Sequence, residues 1–454
     1  MESETNGELA LLDLARSGDE GAFRDLTEAH RDELRAHCYR MLGSTQDAED
    51  AVQDALLRAW RGIAKFEGRG SVRAWLYSIA TNTTLDIARH RSRRELPADF
   101  GPAATVGTPI EGLMTDAGWL EPYPDRWLSD SSPVLPDAHY EQRESVEIAF
   151  MVMLQQLPPL QRAVLILRDV LASSAAEVAA QLSTSVAAVN SALQRARASM
   201  APGQPGHSQQ SVLRAIGDDG AAAIARRYAD ALETGDVDAL LGMLTEDATW
   251  CMPPKGGWYQ GHESLRTWLV TGPLSVRWRH HATRANGQLA VGCYLYDRDQ
   301  DRYVPAVIDV LTLTAAGDRV SAVTAFFTGD QDPVAVFERF GLPAWGLCRC
   351  GGAYQRERIP LSSILSAASF TSRATRIASV TSSSEGPGVS VLGYSKLFRA
   401  RRSLLNERSA RMLDPNWAVT ASCTAMCPPR LVARSPWASS RLAALLRSAS
   451  YASW

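Results

Sequence analysis

No proline interrupts the first 96 residues of this chain, and the forty that follow hold seven. Proline lacks the amide proton that a helix interior needs, and its ring clashes with the preceding turn. Its absence therefore permits long helices, and its clustering forbids them. Residues 8–95 accordingly read as nearly continuous helix, with Val52, Leu56, Ala59, Trp60 and Ile63 recurring at three- and four-residue spacing. Residues 96–139 read as a Pro-rich linker without periodicity. Helical pattern returns over 140–200, broken at Pro158–Pro159 and at the Ser183–Ser185 cluster, and a second linker spans 201–216. Residues 217–342 change character. Helices are expected at Ala221–Leu232 and Val237–Leu244, followed by runs such as RWRHHATR, LAVGCYLYD, VPAVIDVLTLT and VSAVTAFFTG. Those runs read as strands of an α+β domain.

The net charge of -3 hides an uneven distribution. Before Gly346 there are 32 basic and 46 acidic residues; from Gly346 onward, 15 basic residues face four acids. An acidic body that binds DNA must concentrate its cations locally, so short basic stretches carry more information than the overall balance. Seven scattered cysteines, an odd number without framework spacing, point to a reducing compartment. The opening MESETNGELA lacks the basic start and apolar centre of a signal peptide, and no run of about 18 uncharged apolar residues occurs. The expectation is a cytoplasmic protein with no membrane partner.

The first motif is DAEDAVQDALLRAW, Asp47–Trp60. On a helix its carboxylates share one side, opposite an apolar stripe of Val52, Leu56, Ala59 and Trp60. Alone, that is an ordinary solvated acidic face. It is followed by FEGRGSVRAWLYSIATNTTLDIARHRSRR, Phe66–Arg94, where Trp75 and Tyr77 precede a basic end. Rings beside cations suit stacking on unpaired bases while the phosphates are held. The order of acidic helix, FxGRGSxRAWLYxIATN and DxxRxxxR resembles regions 2.2 to 2.4 of the sigma-70 family in its small extracytoplasmic-function form. The resemblance implies that Asp47, Glu49, Asp50, Gln53 and Asp54 dock on the β′ clamp of core RNA polymerase. It assigns the -10 promoter element to Arg69, Ser71, Arg73, Trp75, Tyr77, Asn82, Asp86 and Arg89. One of Trp75 and Tyr77 is expected to be core instead.

The second motif, Leu157–Met200, reads as a proline-started helix, a helix at Ala175–Gln181, a Ser/Thr turn and a third helix capped by Ser185. LPxxQRxVxxLR and LxRAR resemble sigma region 4, which contacts the polymerase β flap and reads the -35 element in the major groove. The resemblance places Ser185, Ala187, Ala188, Asn190, Ser191, Gln194 and Arg195 toward DNA, with Arg197 near phosphate. Asn190 and Ala192 stand where the family is commonly basic, which implies fewer phosphate contacts. Inside the first linker, LEPYPDRWLSD (Leu120–Asp130) resembles a subgroup with a C-terminal extension; an ordinary tether is the alternative.

The third motif, Thr245–Leu269, resembles the SnoaL-like branch of the cone-shaped nuclear transport factor 2 fold. Trp250, Trp258, Tyr259, Trp268 and Asp309 are its candidate pocket residues, for a small-molecule ligand. Met252, Trp278, Tyr294, Val307 and Phe326 are further candidates; simple core is the alternative for such rings. Asp309, His280 or His281 would be the base of any catalysis, but no catalytic pattern is matched. The chain thus reads as multidomain. Two all-α sigma modules, a region 2 helical bundle and a region 4 helix-turn-helix, precede an α+β NTF2/SnoaL-like cone and a basic tail over 346–454. That tail is either disordered or translated out of frame. The expected partners are core polymerase and promoter DNA, and neither a cofactor, a metal nor enzymatic activity is expected. The alternatives are a SnoaL-type cyclase or isomerase fused to a DNA-binding regulator, and a helix-turn-helix repressor indifferent to polymerase.

Overall fold

The structure is a computed structural model that describes residues 2–68, 70–99, 101–105, 118–128, 143–201, 206–329 and 331–345. Arg69, the remaining parts of the linkers and the whole tail, with its Cys348, Cys350, Cys423 and Cys427, lie outside the described residues.

The proline-free region forms five helices: α1 (Glu2–Arg16), α2 (Glu20–Glu28), α3 (Arg31–Leu42), α4 (Thr45–Gly62) and α5 (Val72–Ala88). Local chemistry sets their ends. Asp19, Ser44 and Ser71 accept the amides of Ala22, Asp47 and Ala74 as N-caps. Gly43 closes α3 in the left-handed conformation at φ 68°. After the first linker come α6 (Ile148–Gln156) and α7 (Pro159–Leu165), the latter running into a π-turn at Ile166–Val170. Next are α8 (Ala175–Gln181) and α9 (Val186–Met200). Ser174 and Glu177 form a reciprocal capping box on α8. Ala172, before α8, takes a left-handed φ of 53°, so this turn carries a steric cost of about 1 kcal/mol.

The second linker is shorter than its composition suggests, because α10 (Gln209–Thr234) starts inside it, with Ser208 as cap and a kink at Gly217. Then follow α11 (Val237–Met243), β1 (Leu244–Cys251), β2 (Trp258–Gln260) and α12 (His262–Thr271). The domain ends with β3 (Trp278–Ala285), β4 (Gln288–Asp297), β5 (Arg302–Leu313), β6 (Val320–Phe327) and α13 (Pro333–Arg339). The sheet order is β2-β1-β6-β5-β4-β3, with β1 parallel to β6 and all other neighbours antiparallel.

Strand alternation sends successive side chains to opposite faces, and here both faces are buried. Val307, Leu311 and Leu313 of β5 join a core with α10, α11 and α12. Ile308 and Val310, from the same strand, join a second core that also contains residues of α1–α9, and Leu120, Tyr123 and Leu128 of the linker. Residues 118–128 of the linker therefore form a largely buried strap rather than a free tether.

Candidate functional site

Glu49, Asp50, Gln53 and Asp54 face outward on α4, Glu49 partly covered and the other three exposed, while Leu56 and Trp60 pack behind them. Asp47 does not share that face. It is 6% exposed and bound by Arg91 and by Arg94, the latter at 2.5 Å. Burial, and then the Asp47 charge, lift the Asp50 carboxyl above its ordinary value. Glu49 faces Arg339 of α13 at 3.7 Å. At its N-terminus α4 is held by a second residue besides Ser44. The Glu121 carboxylate of the strap accepts from the Ser44 hydroxyl, the Thr45 amide and the Thr45 hydroxyl at 2.8–2.9 Å, where the helix dipole favours an anion.

On α5, Ser71 is consumed as the N-cap, and Arg73 is half-exposed, paired with Glu33 at 2.8 Å and lying over the Tyr77 ring. Tyr77 is 4% exposed and donates to Glu33, so it is the core member of the aromatic pair and is not placed to touch a base. Trp75 is partly exposed and stacks on Phe66 with ring centroids 4.9 Å apart. Asn82, Asp86 and Arg89 are exposed along one side of the helix; Asp86 bridges Arg58 and Arg89. Ser185, Ala187, Ala188, Asn190, Ser191, Gln194, Arg195 and Arg197 are all exposed on α9 or at its cap, with Arg197 held by Asp169 at 2.7 Å. Ala192 is buried at 3%, so whatever residue stood there would pack inside the module rather than meet phosphate.

The two helical modules, α1–α5 and α6–α9, touch. The Ser78 hydroxyl and the Asn82 amide both reach the Gln181 carbonyl at the end of α8, each at 3.4 Å. Arg162, buried at 4%, donates to the carbonyls of Leu154, Gln155 and Leu157 around the α6–α7 turn and across to Met41 of α3. Burial pulls its pKa down to about 10.

The junction is closed from the third domain. Asn286 and Gly287 form the turn between β3 and β4, both with positive φ, the two-residue hairpin geometry that Asn-Gly favours. The Asn286 side chain donates to the Tyr39 hydroxyl at 2.8 Å and the Val146 carbonyl at 2.7 Å, and accepts the Tyr123 amide at 2.8 Å. Its own amide donates to the Tyr123 carbonyl at 2.8 Å. The Gly287 amide donates to Asp125 at 2.7 Å, and the Gln288 side chain accepts the Ile148 amide at 2.8 Å. A Cβ on Gly287 would lie 2.6 Å from the Arg143 carbonyl oxygen, so only glycine fits. One hairpin tip thus bonds region 2, the strap and the entry to region 4. Two carboxyls beside it are displaced by burial: Asp125 is pushed up to about 6 and Glu147, which accepts the Gln210 amide, to about 7.

Inside the cone, Trp250, Trp268 and Tyr259 pack on one another with centroids 5.1–5.3 Å apart. Trp258 turns away and donates to the Gly101 carbonyl of the linker at 2.9 Å. Tyr294 and Phe326, expected inside, belong to the other face of the sheet. Asp309 is 4% exposed and accepts from the Tyr228 hydroxyl at 2.8 Å and the Cys293 thiol at 3.4 Å. Burial raises the pKa of all three groups. His280 and His281 point to opposite faces, the first to Glu233, the second onto Tyr294. Burial works to raise the Glu233 carboxyl, but His280 and Arg279 outweigh it and hold it at about 2. Among the described residues there is no metal-holding cluster and no helix long and apolar enough to cross a membrane.

Sequence reasoning passed over Glu33, Glu121, Arg162 and Asn286. Asn-Gly between two strand-like runs signals a hairpin, but nothing local announces that its tip is buried.

Known families match in the same order as the modules. The chain matches Sigma-70 region 2 over residues 26–94, Sigma-70 region 4 over 147–200 and a SnoaL-like domain over 225–340. It is 43% identical over 330 residues to the ECF RNA polymerase sigma factor SigG of Mycobacterium tuberculosis, covering 71% of this chain and 84% of that one. It is 30% identical over 223 residues to SigJ of the same organism, covering 49% of this chain and 62% of that one. The crystal structure of that SigJ superposes with a TM-score of 0.42 at 25% identity, covering 66% of this chain and 94% of that one.

Proposed function

This chain belongs to the extracytoplasmic-function sigma factors, and from that premise we propose how its parts divide the work. As a sigma factor it directs RNA polymerase to promoters. Glu49, Asp50, Gln53 and Asp54 are the surface that meets the β′ clamp, with Asp47 organising Arg91 and Arg94 behind it. Arg69, Ser71, Arg73, Trp75, Asn82, Asp86 and Arg89 hold the -10 element. The exposed side of α9 from Ser185 to Arg195 reads the -35 element, and Arg197 sits near phosphate.

The SnoaL-like domain restrains this machinery by holding it closed. The observation that carries this reading is the contact of Ser78 and Asn82 with Gln181. The two promoter elements are named for positions about 25 base pairs apart, which is roughly 85 Å of duplex at about 3.4 Å per step. Modules within hydrogen-bond distance of each other cannot occupy both elements, so the clasp must release for promoter binding. The enclosed Tyr228–Asp309–Cys293 group suits a packed core better than a general base, so the domain acts as a regulator. In vitro transcription with core polymerase tests this: Asn286→Gly should raise promoter-directed output at limiting sigma. Output unchanged or lowered, with core affinity intact, would refute the restraint.

A further inference from the structure

Beside the β3–β4 hairpin, region 2, the strap and the outer face of the C-terminal sheet line a partly open cavity of about 260 Å³. Its walls are mostly apolar, with Trp119, Phe326, Phe327 and Phe340 among them, and its charged groups are Arg94, Arg339 and Glu121. Glu121 is already committed to the start of α4. Both guanidiniums are committed too, and to carboxylates of the same helix: Arg94 to Asp47 at 2.5 Å and Arg339 to Glu49 at 3.7 Å.

These two pairs differ in strength. Asp47 is buried between two arginines, whereas the Arg339 and Glu49 side chains remain 28% and 33% exposed across a long separation. A partly exposed pair of that length contributes little. An anion delivered into the neighbouring apolar cavity would meet Arg339 with less competing water, and charge-assisted contacts strengthen as water is excluded. A volume just below that of ordinary ligand pockets suits one or two fused rings.

We propose that this cavity is an effector site for a small aromatic carboxylate, whose ring lies among Trp119 and the phenylalanines and whose carboxylate takes Arg339 from Glu49. Occupation would free Glu49 on the face of α4 that meets polymerase. That consequence rests on the reading of α4 given above; the binding itself does not.

Calorimetric titration of the full chain with 1-naphthoate and its neutral analogue 1-naphthamide tests the binding. Naphthoate should bind at one site about tenfold tighter than the amide, the difference expected for one charge-assisted contact. Arg339→Gln should bring the acid to the level of the amide. Thr328→Trp, which fills the cavity, should abolish both, and Gln331→Trp fills it from another segment should the first variant lose its circular dichroism. Equal affinity of acid and amide, undiminished binding to the filled variants, or no binding of naphthoate below about 1 mM would each overturn the site. A second titration measures core polymerase affinity with and without saturating naphthoate. A threefold or larger gain is expected; no change would overturn the link to Glu49 while leaving the clasp, tested independently through Asn286, intact.

Discussion

Replacing Asn286 by glycine should loosen the closed arrangement without unfolding the domains it joins. Glycine keeps the φ of 55° that the turn requires, so the substitution removes only the side chain. Three buried hydrogen bonds disappear, to Tyr39, Val146 and Tyr123. Each such bond contributes about 1 kcal/mol net, and each stranded buried partner adds up to about 3 kcal/mol until water reaches it. A loss of about 4 kcal/mol from the closed state is a reasonable centre, which is roughly a thousandfold in the ratio of closed to open forms. Hydrogen exchange reads this directly. The amides of Tyr123 and Ile148 both donate to this hairpin and should lose protection by two to three orders of magnitude, on the order that the energy implies. Amides inside the sheet, such as that of Val291 paired with Asp309, should change little. If Tyr123 and Ile148 stay as protected as in the parent, the hairpin is not what holds the modules. If all amides lose protection equally, the substitution has unfolded the protein instead.

Three other outcomes are expected. Asp125 and Glu147 have folded pKa values of about 6 and about 7, above their ordinary values, so the closed state binds protons more readily than the unfolded chain. Their contribution is therefore greatest below about pH 4 and is lost as pH rises through 6 to 7; for Asp125 it amounts to about 3 kcal/mol. Arg143 and Arg284 oppose the shift at Asp125, and Glu144 adds to that at Glu147. Asp125→Asn keeps an oxygen for Gly287, so urea midpoints from pH 4 to 8 should fall less steeply than in the parent; parallel curves would contradict the assignment. Asp50→Lys with Asp54→Lys should abolish binding to core polymerase while shifting the melting temperature by no more than a few degrees, since both positions are exposed. Retained binding would remove α4 from the docking surface. Arg162→Met strands several carbonyls around the α6–α7 turn and should destabilise by about 3 kcal/mol or more, visible as a lower melting temperature. A melting temperature equal to that of the parent would show that water satisfies those carbonyls.

The elements with strong local causes were legible in the sequence. Ala175–Gln181 and the Ser185 cap follow from capping chemistry and apolar period, and each strand-like run after Arg277 became a strand. Exposure along one face was legible too, for Asn82 and Asp86 on α5 and for Asn190 and Gln194 on α9. Long-range partners were not. Asp47 carries the same charge as Asp50, and only the return of Arg91 and Arg94 in space buries one and leaves the other in water. Tyr77 and Trp75 are two residues apart in one helix, and the position of Glu33 on α3 decides which is core. A Pro-rich composition says that LEPYPD is not helical, but not that Tyr123 would be fully buried against Tyr39. Tyr294 and Phe326 misled for the opposite reason: alternation gives two faces, and both turned out to be covered.

Because Ile308, Val310 and Phe326 share one apolar interior with Leu34, Leu154 and Leu120, the appended domain is not a detachable accessory. A deletion ending near residue 205 would strip the cover from that interior and leave greasy surface in water. Such a fragment would invite self-association, and its behaviour with polymerase would report stickiness as much as deregulation. Single substitutions at the hairpin tip disturb the same partnership while keeping in the chain every residue that covers that interior.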